Sequence, residues 1–359
     1  MKVAFVPWDS QIHDNNIFIP KYLGYVDSHI LLKRTFQEHG DDINTIDMYK
    51  NLKEVDLFLF STLNYVWLIR VIQAGLIDRC VYCSGEPAVV KPLNCYEGYE
   101  KLKRVFPYIM TFDDDLVDND RIFKRTLPYY FQKNFGNISF SDRKLLVNIC
   151  GNKHSNHPQE LYSEREKVVS FFEKNYLNSI SLYGTGWDRN THPSYQGYVE
   201  DKATAYHHHK FALSLENMCD VKGYITEKIF DCFQMGIVPI YKGASDIDKY
   251  VPRRCYINYS DFENLDDLAN FLFSMEELEY QKYLDAIDEL LQSDIFIPFS
   301  HVTFYEQIRK VYEKGKIKDF KLSHEVILKL RKQAVRQYIG NKRLHYILLI
   351  KKILKLNRK

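Results

Sequence analysis

Lys228 lies in the run ITEKIFDCFQMG, where Thr226 can cap a helix and Gly236 can end it. A cation in the first turn of a helix opposes the macrodipole by about 0.3–1 kcal/mol. A phosphate on the exposed N–H groups, with Lys228 beside it, would remove the conflict. The plainer alternative is a solvated lysine offset by Glu227. Glu86 follows the apolar run CVYC and precedes Pro87, which fixes the local chain. A partly desolvated carboxylate there can take a proton as a general base, or it is an ordinary loop acid. Arg165 opens a helix after the loop 151–158, where a guanidinium can hold a diphosphate bidentately or pair with Glu164 or Glu166. Asp113-Asp114-Asp115 follows the strand-like YIMTF, and paired acids can hold a divalent ion on a sugar nucleotide. Three-acid runs are also common in plain loops.

These groups need elements to position them, and the chain supplies alternating strand-like and helix-like segments throughout. That alternation predicts α/β architecture with largely parallel sheets. Strands are expected near 3–6, 43–47, 56–61, 80–84 and 108–112, then near 145–150, 179–183, 211–215, 237–241 and 255–257. Helices are expected from Asp27 to His39 and from Ser163 to about Asn175. The polar stretch QKNFGNISFSDR divides the chain into a first unit, 1–140, and a second, 141–318, with a tail at 319–359. In open parallel sheets ligands sit beyond the carboxyl ends of the strands. That rule selects Glu216 and Asn217, the turn Gly184-Thr185-Gly186, Gly151-Asn152, and Ser84-Gly85-Glu86. The glycine turn lacks the spacing of a dinucleotide fingerprint, and no Walker lysine motif exists. His207–His209 lacks metal-ligand spacing and reads as incidental.

Composition is that of a globular chain, with 45% hydrophobic and 27% charged residues and 27 tyrosines, which suit sugar rings. The net charge of +2 hides an asymmetry. Residues 321–359 hold 12 Lys/Arg against one acid, leaving 37 basic and 46 acidic residues in the rest. A basic tail ending YILLIKKILKLNRK, with Leu344, Ile347, Leu348, Ile350, Ile353 and Leu354 on one broad face, suits an interfacial helix on anionic lipid. Nucleic acid and folding back onto the body are the competing partners; no nucleic-acid recognition motif accompanies the charge. Seven cysteines, odd in number and mostly in apolar runs, fit a reducing cytoplasm. Cys80-x-x-Cys83 has no second pair for a zinc site. A signal peptide and a membrane-spanning run are both absent from the reading.

The stretch KFALSLENMCDVKGYITEKIFDCFQMGIVPIYKGASDIDKYVPRRCYINYSDF resembles the signature of the α1,3/4-fucosyltransferases, glycosyltransferase family 10. There an F-x-L-x-F-E-N segment leads to Y-[IV]-T-E-K, G-x-V-P-[IV], a G-[AS] turn and a P-x-x-[SC]-[FY]-I close. YCSGEP, FDDDLVDNDRIFKRTLPYYF and YVEDK extend the similarity over roughly 79–262. Leu215 replaces the usual phenylalanine, and the loop between Asn217 and Tyr224 is about one residue longer than in some members.

The resemblance implies a GT-B fold, two Rossmann-like doubly wound domains facing across a cleft, here with the basic helical tail added. It implies inverting transfer of L-fucose from GDP-fucose to a glycan hydroxyl. Glu86 matches the general base, and Arg165 and Lys228 match groups that neutralise the diphosphate. Asn217, Tyr224 and Glu227 match donor-contacting positions, with Tyr198, Glu216 and Thr226 as further donor-site candidates. No metal site and no obligatory cofactor are expected, a divalent cation at most stimulating. The expected setting is a bacterial-style enzyme, cytoplasmic and peripheral on the inner face of the membrane, with no nucleic-acid partner. The alternatives are the same fold with another GDP-sugar, or a catalytically silent carbohydrate- or membrane-binding module.

Overall fold

A computed structural model describes the chain except residues 10, 20–25, 318, 319 and 357–359 and the side chains of 26, 27 and 343–356. The first sheet is built from β1 (Lys2–Val6), β2 (Asp42–Thr45), β3 (Leu57–Phe60), β4 (Cys80–Cys83), β5 (Tyr108–Thr111) and β6 (Ile122–Lys124). Its order is β2-β1-β3-β4-β5-β6, all parallel. The second contains β7 (Lys144–Ile149), β8 (Ile180–Tyr183), β9 (Tyr195–Gly197), β10 (His209–Leu215), β11 (Val238–Lys242) and β12 (Ile257–Asn258). It is likewise parallel, in the order β12-β11-β10-β7-β8-β9. Both units are doubly wound, as the alternation predicted.

Period-two alternation explains the layers, because successive residues of each strand enter opposite cores. In the first unit Val3, Phe5, Leu57 and Leu59 pack with α1 (Val26–Glu38), whereas Ala4, Val6, Phe58 and Phe60 face α2 (Tyr65–Gln73) and α3 (Tyr96–Leu102). In the second unit α4 (Tyr162–Tyr176), α7 (Leu265–Ser274) and α8 (Glu277–Leu291) cover the Phe211–Leu213–Leu215 face. Ala212 of β10 and Val147 of β7 instead meet α5 (Lys202–His207) and Cys232 of α6 (Glu227–Met235).

Several expectations shift. The chain leaves the first sheet after β6, and Tyr129, Phe131 and Phe135 already pack on the second core, so the crossing precedes residue 140. Residues 301–317, expected in the second unit, return to the first. There Phe304, Tyr305, Ile308 and Val311 of α9 (His301–Lys314) share a core with Val3 and Phe5. The tail forms α10 (His324–Leu356), and its first half docks on the first unit. Leu330 is buried there with Leu322 and Val326 alongside it. The apolar face expected at 344–354 falls on residues whose side chains lie outside the described set. Among the described residues no helix is long and apolar enough to cross a membrane. Asp27 lies inside α1 rather than capping it. Cys255 belongs to a single 3₁₀ turn, leaving β12 only two residues.

Candidate functional site

The two sheets direct the carboxyl ends of β4, β5 and β10 toward one another. The peptide 222–224 of the second unit meets the segment after β5, Phe112–Asp115, of the first. Lys222 Nζ lies 2.6 Å from Asp115 Oδ1, and the Asp114 N–H donates to the Lys222 carbonyl at 3.2 Å. Tyr250 donates to Asp114 Oδ2 at 3.2 Å, while Lys124 pairs with Asp114 Oδ1 at 2.6 Å. The tri-aspartate run is therefore an interdomain clasp: Asp114 and Asp115 are spent on cations and a phenol, and Asp113 accepts the Asp115 N–H at 3.1 Å. Among the described residues no group of three or more His, Cys, Asp or Glu is arranged to hold a metal ion.

Gly223 makes the close approach possible. Its φ is +73°, and a Cβ there would lie 2.5 Å from the Phe112 carbonyl oxygen and against Lys124 Nζ. Gly223→Ala is expected to cost about 2 kcal/mol or more, from the left-handed backbone and the backbone clash together. Urea unfolding would show it; an unchanged midpoint would mean that the interface yields freely.

Inside this clasp, Glu216 at the end of β10 has no accessible surface. Its Oε1 accepts the Thr226 N–H at 2.8 Å, and its Oε2 accepts the Thr226 hydroxyl at 2.7 Å and Lys228 Nζ at 3.1 Å. A buried carboxylate needs such partners, and here they fix the start of α6. Thr226 caps that helix as expected, accepting the Lys228 N–H at 3.4 Å. The anion that helix physics requires beside Lys228 is thus already present as Glu216, with Glu227 Oε1 at 3.5 Å. Burial works against the Lys228 ammonium, but Glu216 and Glu227 outweigh it and hold its pKa above the usual lysine value. Glu227 is held below its ordinary value: burial opposes this, and Lys228 and Lys202 prevail.

Arg165 is buried on α4, and one Nη donates to the carbonyls of Leu215 at 2.6 Å and Glu216 at 2.5 Å and to Asn217 Oδ1 at 3.0 Å. In this structure it stitches α4 to the end of β10, and a direct bidentate grip on a diphosphate is not the geometry seen. Glu216 and Thr226 are likewise supports of the site rather than surface of it. Tyr224 is also buried, its ring 4.8 Å from that of Phe112 in a small core that bridges the units, with Ala88 and Met218. Tyr198 is 70% exposed and follows the edge strand β9. Three strand spacings, about 14 Å, separate it from β10, so the fold does not bring it to Lys228.

Glu86 is exposed by area, yet neighbouring atoms crowd its carboxyl. Loss of hydration raises its pKa above the ordinary glutamate value; Lys228 counters this and Glu227 adds to it. Charges from the second unit therefore act on a carboxylate of the first. Its loop is anchored from below: Asn94 Nδ2 donates to the Glu86 carbonyl at 2.6 Å, and Arg125 to the Ser84 carbonyl at 2.7 Å.

Lys153 was missed in the sequence. It lies exposed in the loop after β7, and its charge also acts on Glu86. The signal available was its place four residues beyond Ile149, the end of β7. Gly184 closes that loop onto its neighbour, since a Cβ at its φ of +132° would overlap the Cys150 carbonyl.

A partly desolvated carboxylate within the field of a lysine at a helix N-terminus can take a proton from one group while that lysine holds an anion on another. Residues 143–296 match the family described as glycosyltransferase family 10 (fucosyltransferase), C-terminal part. An alpha-(1,3)-fucosyltransferase of Helicobacter pylori is 36% identical over 115 residues, 32% of this chain and 23% of that protein. An alpha-(1,4)-fucosyltransferase of Arabidopsis thaliana is 37% identical over 81 residues, 22% and 20% of the two chains. The chain thus spans about a fifth to a quarter of these relatives' length. A crystal structure of an alpha1,3-fucosyltransferase with GDP superposes with a TM-score of 0.55 at 16% identity, covering 88% of this chain and 91% of that one. That likeness concerns the fold, which is the GT-B arrangement. The sequence match is confined to residues 143–296, so it is the second unit that is similar to the C-terminal part of glycosyltransferase family 10.

Proposed function

We propose that the protein moves L-fucose from GDP-fucose to a hydroxyl of a galactose- or N-acetylglucosamine-containing glycan, with inversion and an α1,3-type linkage. The observation that carries this reading is Glu86, desolvated on one wall of the cleft and within the field of Lys228 on the other. The names of the relatives, fucosyltransferases solved with GDP or GDP-fucose among them, support the donor.

Cleaving the C1–O bond of the donor leaves positive charge at C1 and extra negative charge on the diphosphate. The amide N–H groups opening α6 and the Lys228 ammonium stabilise that diphosphate. Lys153 adds positive charge from the loop after β7. Arg165 and Glu216 act from behind, fixing where Lys228 and the helix end stand. Glu227 and Asn217, both part-exposed beside them, are placed to meet the nucleoside and sugar. Glu86 takes the acceptor proton as its oxygen attacks C1 from the face opposite the leaving group, which inverts the centre.

Purified protein with labelled GDP-fucose and a panel of such glycans, products read by mass, tests the reading. Transfer is expected from GDP-fucose well above GDP-mannose and is expected to persist in excess EDTA. A preference for another GDP-sugar would change the donor, and GDP binding with no transfer to any acceptor would leave a silent module. The same reading seats the distal tail, with Lys351, Lys352 and Lys355, on an anionic membrane surface at the cytoplasmic face. Its support is the charge asymmetry of residues 321–359. Removing 343–359 is expected to abolish co-sedimentation with phosphatidylserine vesicles; retention would refute that seat.

A further inference from the structure

A cavity of about 220 Å³ opens at the carboxyl ends of β1, β2 and β3, lined by Pro7, Ile46 and Asn64 from the segments that follow those strands. It lies on the same rim of the first sheet as Glu86, which follows β4. From β1 to β4 is two strand spacings, about 10 Å. The cavity is smaller than the roughly 300–1,000 Å³ that accommodates a drug-sized ligand, so it fits a single ring of a longer molecule.

Its walls have a particular chemistry. Trp67 of α2 and Tyr338 of α10 supply two aromatic rings, and Asp9, Asp47, Asn64 and Asn341 supply polar groups. Asn64 uses its Oδ1 to cap α2 through the Trp67 N–H at 3.2 Å, which leaves its amide nitrogen to donate. Apolar ring faces with acceptors and amides at their edge are what a pyranose requires. Two carboxylates and His13 line the cavity, and among the described residues no lysine or arginine does, although the Arg70 guanidinium lies 4.6 Å from the Trp67 ring and Lys342 Nζ 4.9 Å from the Tyr338 ring. A neutral sugar is therefore favoured over one that carries a carboxylate.

The tail helix is not placed there by apolar contact alone. Gln337 Oε1 accepts the N–H groups of Tyr65 at 2.8 Å and Val66 at 3.3 Å, and its Nε2 donates to the Leu63 carbonyl at 3.4 Å. This polar lock seats α10 on the start of α2 and sets its register. Tyr338 and Asn341, three residues apart, then share the helix face that closes the cavity.

We propose that this cavity is a subsite for a neutral sugar residue of the acceptor, and that the tail completes it through Tyr338 and Asn341. The proposal rests on the reading of the acceptor as a glycan, and its test separates the two. The probes are a galactosyl-N-acetylglucosamine disaccharide and its sialylated form. Binding is followed by saturation-transfer NMR and transfer by acceptor KM, with GDP affinity reporting an intact fold. In Tyr338→Ala and Asn341→Ala the acceptor KM is expected to rise about tenfold, with GDP affinity within twofold of the parent. The sialylated probe is expected to bind the parent at least tenfold more weakly. If Tyr338→Ala does not fold, the exposed Asn341→Ala and the ring-conserving Tyr338→Phe carry the test. Active protein with unchanged acceptor KM in these variants overturns the subsite and leaves the transferase reading standing. Tyr338-dependent disaccharide binding without any transfer does the reverse. A parent that binds neither probe overturns the subsite outright.

Discussion

Glu86→Gln is expected to lower kcat about 10³-fold while the Kd for GDP changes less than twofold. The substitution keeps the shape of the side chain and removes only its ability to accept a proton. On the proposed reading the nucleotide sits on the other unit, at Lys228 and the start of α6, so donor affinity has no reason to fall. The acid limb of kcat/KM should report the same group. A base works only when deprotonated, and desolvation raises the Glu86 pKa above the ordinary value of 4.5. Activity is therefore expected to fall with decreasing pH through an apparent pKa above 4.5, and that limb should vanish in Glu86→Gln. A variant that turns over at the parental rate would remove Glu86 from the chemistry altogether.

Lys228→Ala should produce two separable losses. The first is nucleotide affinity: a charge-assisted hydrogen bond contributes about 1.5–3 kcal/mol, so the GDP Kd should rise roughly 10- to 100-fold. The second is stability, because Glu216 would remain buried with one partner gone. Breaking a fully buried pair costs about 3–5 kcal/mol. Lys228 keeps a quarter of its side chain accessible, so water can partly replace it and about 2 kcal/mol is the better expectation. Combining Lys228→Met with Glu216→Gln removes both charges and should recover most of the stability without recovering GDP affinity. Calorimetric titration and chemical unfolding read the two effects independently. Parental GDP affinity in Lys228→Ala would place the diphosphate elsewhere.

Local chemistry made much of this molecule legible in advance. Apolar runs of five or six residues bounded by turn formers located most strands of both sheets, and α6 begins and ends where Thr226 and Gly236 require. The two strands that escaped notice, β6 and β9, are three residues long and lack a period to detect. The tri-aspartate run shows the limit of composition. Three acids in a loop look like a cation site, and only the approach of Lys222, Tyr250 and Lys124 reveals an interdomain clasp. Arg165 and Lys228 show the same limit from the other side. Both are cations, but burial turns one toward carbonyls of its own chain and leaves the other part-open at a helix end.

The sequence by itself determined most of the strands, the cap at Thr226, the charge asymmetry of the tail and the family signature. Each is written in residues near one another along the chain, where hydrogen bonding and hydrophobic period act locally. Tertiary structure alone decided that Glu216 serves as the partner of Lys228, that α9 and the start of α10 return to the first unit, and that Glu86 feels charges from the second. Those outcomes depend on which surfaces meet and how much water they exclude, and no spacing along a chain encodes a desolvation.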